Sequence, residues 1–485
     1  MILKKSGRIY SKNIKKSGRI TQKVYLWKIS YLKIKNSILF LCIFSVTFEK
    51  YGKNYKLSIM TEKYSTILNN ASTYNIWDGK PFSEGFKRHF YLTKIRDYLE
   101  TKLIKVLVGQ RRVGKSYILR QIINYLFLEK KVPPQNIFYL NKEYLIFDEI
   151  KSSIDLEHLF TLFKKKYAHQ GKMYIFLDEV QNIDGWEKFV NSYSQDYTSE
   201  FELFVTGSNS NILSGELSTL LSGRFVEIEI FPFSYTEFIS FKNSDANKSS
   251  YLEYLKTGGL PELFFIEKEE VHRHYVDSLK NTIILRDIAG RHTIKDLPLL
   301  EEIFKFLIVN IGNLTSFSSI VKYFKSKQKK TNYETISSYV GYLRDTFILH
   351  QVERFQIRGK QSLGGEYKYY LNDLAFKNYL FGFFPSDVGY NLENQIYIQL
   401  KQMGFQVSVG KLDNLEIDFV AQKPDKTVYV QVAYLLNSPK VIEREFGNLL
   451  SVKDNHEKVV ISLDDVRFSD YEGIRHLQPW KLKLL

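Results

Sequence analysis

One stretch constrains this chain more than any other. Ile104–Val108 is a short run of buried-strand character, and Gly109-Gln110-Arg111-Arg112-Val113-Gly114-Lys115-Ser116 follows it directly. Ser116–Leu128 then places Ile118, Leu119, Ile122, Ile123 and Leu126 at helical spacing. A loop of this kind between strand and helix turns its backbone N–H groups toward one point, and the helix N-terminus adds positive potential there. That arrangement suits phosphate. The GxxxxGK[ST] spacing assigns Lys115 to the β- and γ-phosphates of a nucleotide and the Ser116 hydroxyl to Mg²⁺. Gly109 to Ser116, with Tyr117 beside them, are therefore the candidate residues for binding ATP.

A second element fits the first. Met173–Glu179 (MYIFLDE) is an apolar strand closed by two acids. A carboxylate at the C-terminal end of a parallel strand faces the crevice where nucleotides sit. Asp178 is expected to bind Mg²⁺ through water, and Glu179 to orient or deprotonate an attacking water. Phe201–Ser210 (FELFVTGSNS) is another strand, ending in small polar residues. Ser208, then Asn209, are candidates to hold the lytic water or γ-phosphate; a plain Gly/Ser/Asn turn explains them equally well. Arg224 is a candidate γ-phosphate contact, in cis or across a subunit interface, with an exposed loop arginine as the alternative. Arg111 and Arg112 have a second use, fixing the loop by pairing with acids.

Further short strands at Ile137–Leu140, Tyr174–Leu177 and Leu203–Val205 alternate with helical stretches at Leu156–Tyr167 and Gly185–Ser194. This alternation predicts an α/β fold built on a parallel sheet. Phe241–Ser250 reads as a polar loop. Leu297–Ile311, Ser318–Ser326 and Tyr333–Phe347 read as helices, and Leu415–Ala421 and Thr427–Ala433 as strands. The expected division is an extension over 1–59, an ATPase core over 60–240, a helical linker or lid over 241–296, a third region over 297–371 and an α/β region over 372–485.

Charge separates the extension from the rest. The 485 residues carry a formal charge of +16, but residues 1–59 hold 14 bases against one acid, Glu49. The remaining 426 residues hold 55 bases and 52 acids, so every motif above lies on a nearly neutral protein. The hexapeptide Lys4–Ile9 returns as Lys15–Ile20, and the apolar run Ile38–Phe48 covers 11 residues. A bilayer span needs about 20, so no integral membrane segment is expected. A basic tail, a surface anchor and upstream sequence translated ahead of a start at Met60 all fit. We take the last, with 1–59 disordered or absent from the mature protein. The single cysteine, Cys42, excludes an intramolecular disulfide framework and fits a reducing, cytoplasmic setting. No HExxH or G-x-S-x-G pattern occurs.

The motifs GQRRVGKS, IFLDEVQNIDGWE, FVTGSNSNILSGELSTLLSGRF, FPFSYTEF and GGLPE, over about residues 65–480, resemble those of AAA+-like prokaryotic ATPases carrying a C-terminal domain of unknown function. The resemblance implies an AAA+-type P-loop core, a winged-helix region and a C-terminal part like the PD-(D/E)XK nuclease fold. Ser318–Ser326 and Tyr333–Phe347 would form the helix pair, with Ile348–Ile357 and Tyr367–Leu371 as wing strands. DNA contact there rests on Lys325–Lys330 (KSKQKK), which suits phosphates rather than base edges; a protein client or a structural role fits as well. In the nuclease-like part, Glu393 and Asp418 match the acids of that fold. Gln431 stands where an acid is usual and Ala433 where a lysine is expected, with nothing adjacent to replace its charge, so cleavage is not expected. Arg224 acting in trans would require a homo-oligomer.

Overall fold

The computed structural model describes residues 62–167, 170–213, 221, 223–465 and 471–484. The readings of residues 1–59 and of the start at Met60 lie outside the described residues. Five strands form the first sheet: β1 (Ile104–Val108), β2 (Ile137–Asn141), β3 (Met173–Asp178), β4 (Phe201–Gly207) and β5 (Phe225–Glu229). Their order is β2-β3-β4-β1-β5, and every neighbouring pair is parallel. β1, β2 and β3 are buried along their whole length, the pattern of a parallel sheet covered on both faces. The helices α1 (His89–Arg96), α2 (Lys115–Leu128), α3 (Ser153–Lys166) and α4 (Trp186–Ser194) belong to this part. The fold class is the expected one, α/β with a P-loop NTPase core. Because the strands are parallel, the loops after β1, β3 and β4 emerge at the same edge of the sheet. The order also places β4 between the two strands that carry the sequence motifs.

A buried arginine joins this core to the segment that leaves β5. Arg88 is 2% exposed. Its Nε and Nη2 donate to the two carboxylate oxygens of Glu237 at 2.6 and 2.7 Å, and its Nη1 donates to the carbonyls of Val113 and Phe231 at 3.0 and 2.9 Å. Nη2 also donates to the Pro232 carbonyl at 3.3 Å. Glu237 in turn closes a capping box with Ser234 at the start of α5 (Tyr235–Lys242). The FPFSYTEF motif is thus a strand exit, a helix cap and an anion for Arg88.

α6 (Lys248–Thr257) begins inside the expected 241–250 loop. Asn247 and Ser250 form a capping box there, so residues that read as loop formers open a helix instead. α7 (Glu269–Thr282) continues into wider π-type turns over Ile283–Ala289. Then come α8 (Leu297–Val309), α9 (Phe317–Ser326), α10 (Tyr333–Asp345) and the antiparallel hairpin β6 (Leu349–Gln356) and β7 (Gln361–Leu371). α11 (Ala375–Phe381), α12 (Val388–Gln402), β8 (Gln406–Leu412), β9 (Leu415–Lys423), β10 (Lys426–Ala433), α13 (Pro439–Leu450), β11 (Glu457–Ser462) and β12 (Arg475–Leu477) complete the described chain. The hairpin does not stand alone. β6 pairs parallel with β8 through Arg354, Phe355 and Gln356, giving one mixed sheet in the order β12-β11-β10-β9-β8-β6-β7. Pairing covers an edge of β6 that would otherwise be bare. One buried apolar cluster runs from Phe231 to Leu482 beneath these elements. No helix among the described residues is long and apolar enough to cross a membrane.

Replacing Arg88 with alanine leaves the partly buried Glu237 carboxylate without its cation, beside three carbonyls that have lost a donor. The expected loss of stability is about 3–5 kcal/mol, read from denaturant unfolding. Arg88→Lys should recover only part of it, because a lysine cannot form the two-oxygen fork.

Candidate functional site

The loop after β1 is shaped by close packing. A Cβ on Gly109 (φ +146°) would lie 2.3 Å from the Ile230 carbonyl oxygen, so only glycine lets the loop pass beside the residue after β5. Gly114 has φ +97° and caps α2; a Cβ there would meet nothing within 4 Å, so the loop borders open space. Inside the loop the Lys115 Nζ donates to the carbonyls of Gly109 and Gln110 at 2.8 and 3.1 Å and lies 3.7 Å from Glu179 Oε1. Burial pushes the lysine pKa down, and the charges of Glu179 and Asp178 offset only part of this. An anion brought into the loop would therefore meet a cation that is poorly compensated.

Asp178 and Glu179 have different environments. Asp178 is fully buried at the end of β3. It accepts hydrogen bonds from the Thr206 hydroxyl, from Asn141 Nδ2 at 2.8 Å and from the Tyr139 hydroxyl at 3.1 Å. Burial and the neighbouring Glu179 raise its carboxyl pKa, although bonds from Thr206, Ser116 and Tyr139 oppose the shift. For Glu179, burial also opposes ionisation, but Lys115 and Arg111 outweigh it and hold its carboxyl below the ordinary value. Its backbone is left-handed (φ +58°, ψ +49°), a conformation that costs a non-glycine residue about 1–2 kcal/mol. The Glu179 N–H donates to Thr206 Oγ1 at 3.0 Å, which fixes this turn.

The structure brings Lys115, Ser116, Asp178, Glu179 and Ser208 to one edge. Ser208 Oγ donates to Glu179 Oε2 at 3.2 Å, and Gln181 Nε2 donates to the same oxygen. Asn209 is buried beside them in sequence. Arg111 is bidentate to Asp287, at 2.9 Å to each oxygen, and reaches Glu143 at 2.8 Å, so it pairs with acids as its second reading held. Arg112 is exposed with φ +69°, Val113 gives its carbonyl to Arg88, and Tyr117 is 47% exposed beside Arg120. Arg224 is not brought to the site. Its carbonyl accepts from Ile104 N at the opposite edge of the sheet, five residues of strand, about 16 Å, from the phosphate loop. In this arrangement the Arg224 backbone stands apart from the phosphate loop. Thr206 and Tyr139 were missed on sequence; Thr206 sits within the FVTGSNS motif, while a lone tyrosine in an apolar strand gives no signal.

The C-terminal acids also meet, and with a cation the sequence hides. Lys368 on β7 places Nζ 2.9 Å from Glu393 Oε1, 2.9 Å from Glu416 Oε1 and 3.9 Å from Asp418 Oδ1. The Tyr370 hydroxyl donates to Glu393 Oε1 at 2.7 Å. Lys368 reaches these acids from the hairpin, 50 residues before Asp418, and the pairing of β6 with β8 sets the hairpin beside them. Gln431 Oε1 accepts from the Asp418 N–H at 3.3 Å, and Ala433 is buried. Burial and Glu393 push the Asp418 carboxyl well above its usual range.

Residues 101–239 match the family model of the AAA domain, and residues 248–387 that of a domain of unknown function (DUF8612). An uncharacterized protein of Haemophilus influenzae is 36% identical over 402 residues, covering 82% of this chain and 98% of that protein. One of Methanocaldococcus jannaschii is 30% identical over 417 residues, covering 80% of this chain and 90% of that protein. Among solved structures, the ORC1 protein of Aeropyrum pernix in complex with DNA is similar at 14% identity and a TM-score of 0.31, over 60% of this chain and 91% of that one. The parallel core and its loops define a nucleotide-binding, ATPase-type fold of the AAA class. The chain belongs to the family of AAA-domain proteins that includes the Haemophilus and Methanocaldococcus relatives.

Lys368→Met is expected to lower stability by about 3–5 kcal/mol, since it leaves buried carboxylates uncompensated. The same change made together with Glu393→Gln and Asp418→Asn should recover most of the loss in thermal unfolding.

Proposed function

We propose that this protein binds Mg²⁺–ATP at the edge formed by the loops after β1, β3 and β4, hydrolyses it, and uses occupancy of that site to rearrange its C-terminal region. The observation that carries this is the buried Lys115 ammonium 3.7 Å from Glu179, with Ser116 hydrogen-bonded to Asp178. The residues fit the ligand. The loop borders open space at Gly114, and Ser116 and Asp178 offer hard oxygen donors of the kind Mg²⁺ takes. Two protein donors are enough for such a site, because Mg²⁺ fills most of its shell with phosphate and water oxygens.

The bound nucleotide supplies the phosphoryl group and Mg²⁺ its polarisation. Lys115 leaves the carbonyls of Gly109 and Gln110 to meet the β- and γ-phosphates. Glu179, held ionised by Lys115 and Arg111, accepts a proton from or orients the attacking water, and Ser208, with Asn209 as the alternative, helps to position it. Arg224, whose backbone lies away from the phosphate loop, serves a neighbouring subunit in a homo-oligomer.

A second reading, an ATP-responsive switch with little turnover, is favoured by the same carboxylate. Glu179 is already engaged by Lys115, Gln181 and Ser208, so a base in this arrangement is not free for water. DNA as a partner rests on Lys325–Lys330 and on the reading of α8, α9, α10 and the hairpin as a winged helix. Lys329 is paired with Glu302 at 2.8 Å, and Arg344 lines a pocket with Ser210 and His350, which favours a protein client over DNA. For the C-terminal region, a nuclease-like fold without cleavage is our reading.

Lys115→Ala should abolish binding of a fluorescent ATP analogue. Glu179→Gln should bind it and lose most phosphate release; equal, very slow release by both native protein and Glu179→Gln would support the switch. Duplex DNA that leaves the hydrolysis rate unchanged would point to a protein client. In a separate assay, duplex and single-stranded DNA should survive incubation with protein and Mg²⁺; degradation that disappears in Asp418→Ala would establish a nuclease.

A further inference from the structure

Two side chains of the phosphate loop leave the core altogether. Arg111 reaches Asp287 in the turns after α7, and Gln110 reaches the C-terminal region. Gln110 is fully buried, and its Oε1 accepts from Asn372 Nδ2 at 3.1 Å. Asn372 Oδ1 in turn is 3.1 Å from His350 Nε2. Asn372 follows β7 and its N–H donates to the Ile348 carbonyl, while His350 lies on β6, so the two residues belong to the base of one hairpin. Burial holds the imidazole pKa down at about 4, so the ring is neutral near pH 7 and Nε2 carries its proton toward Asn372. The ring packs between Phe231, which follows β5, and Tyr397 on α12.

This line begins at the group that a phosphate would move. Lys115 Nζ donates to the backbone carbonyl of Gln110, the residue whose side chain opens the line. The line is also incomplete: Gln110 Nε2 is buried and has no hydrogen-bond partner among the described residues. A buried amide nitrogen whose two N–H groups find no acceptor is costly, and a shift of the side chain is one way to relieve that cost. The surroundings allow movement. A pocket of about 470 Å³ lies against His350, lined also by Ser210, Arg344, Asp345 and Leu349. Ser210, in the loop after β4, donates to Asp345 at the end of α10 at 3.0 Å, so a second phosphate-edge loop touches the same junction.

We propose that Gln110, Asn372 and His350 form the connection through which nucleotide occupancy of the phosphate loop repositions the β6–β7 hairpin. It rests on the ATP-binding reading above and names how that site is coupled to the rest. When Lys115 turns to a phosphate, the Gln110 peptide is released, the Gln110 amide shifts, and Asn372 with His350 follows. β6 is bonded to β8, so the shift passes into the C-terminal sheet. Asn372 and His350 are positioning residues. They do not touch the nucleotide, and by linkage the state of the hairpin sets nucleotide affinity in return.

The test uses the full chain, a non-hydrolysable ATP analogue, equilibrium binding and hydrogen exchange of peptides from residues 349–371. In the native protein the analogue should change exchange there by about fivefold or more, the low end of ordinary coupling. Asn372→Leu keeps the branched shape of the side chain and removes both hydrogen bonds; His350→Phe keeps the ring packing and removes the Nε2 donor. Each should bind the analogue at least as tightly as the native protein while the hairpin response is lost. A response as large in both variants as in the native protein overturns the proposal, as does native protein that binds the analogue with no response in 349–371. Melting curves without nucleotide identify a variant that fails to fold, and the other variant then decides. Native protein that binds no analogue overturns the nucleotide reading itself, and the coupling with it.

Discussion

The structure depends on Arg88 more than on any other single side chain. A guanidinium taken out of water must find an anion and satisfy its remaining donors, or the burial is strongly unfavourable. Arg88 does both by gathering the Val113 carbonyl from the phosphate loop, the Phe231 and Pro232 carbonyls from the exit of β5, and the Glu237 carboxylate from the start of α5. The loop that faces phosphate and the chain that leaves the sheet are held at one point. Gly109 packing on Ile230 is the steric side of the same constraint. The phosphate loop therefore cannot rearrange without the segment leading to the helical region registering it.

Charge placement at the phosphate edge follows from burial. Lys115, Asp178 and Glu179 are all withdrawn from water, so each state of ionisation is set by its neighbours. Glu179 has two cations close by, which hold its carboxyl below the ordinary value; Asp178 has burial, Glu179 and only neutral donors around it, and its carboxyl is raised. The same logic recurs at Lys368, where one ammonium serves three acids. The two clusters differ in what borders them: the first opens on space beside Gly114, whereas the second is filled by a lysine of the protein's own chain.

Much of the core was legible. The periodicity of Ser116–Leu128 and the apolar runs at 104–108, 137–140, 174–177 and 203–205 match observed elements, because a parallel strand covered on both faces leaves an unbroken apolar signature. The polar reading of 241–250 was too simple, since Asn and Ser serve both turns and helix caps; Asn247 and Ser250 cap α6. Of the candidate site, Lys115, Ser116, Asp178 and Glu179 could be named from the sequence because they lie within local motifs. Arg88, Tyr139, Lys368 and Asn372 were not, because their partners lie 149, 39, 25 and 262 residues away in the chain.

The sequence by itself determined a strand, a phosphate loop and a helix in fixed succession, an acid pair closing a later strand, and a nearly neutral protein beyond residue 59. These are local statements, carried by spacing, glycine conformation and side-chain type. Only the tertiary structure decided that β4 stands between β1 and β3, that Arg224 faces the far edge, that the hairpin joins the C-terminal sheet, and that Gln110 touches Asn372. Each of these is a pairing between distant segments. The hydrogen bonds and buried charges that fix them acquire partners only when the chain has closed on itself.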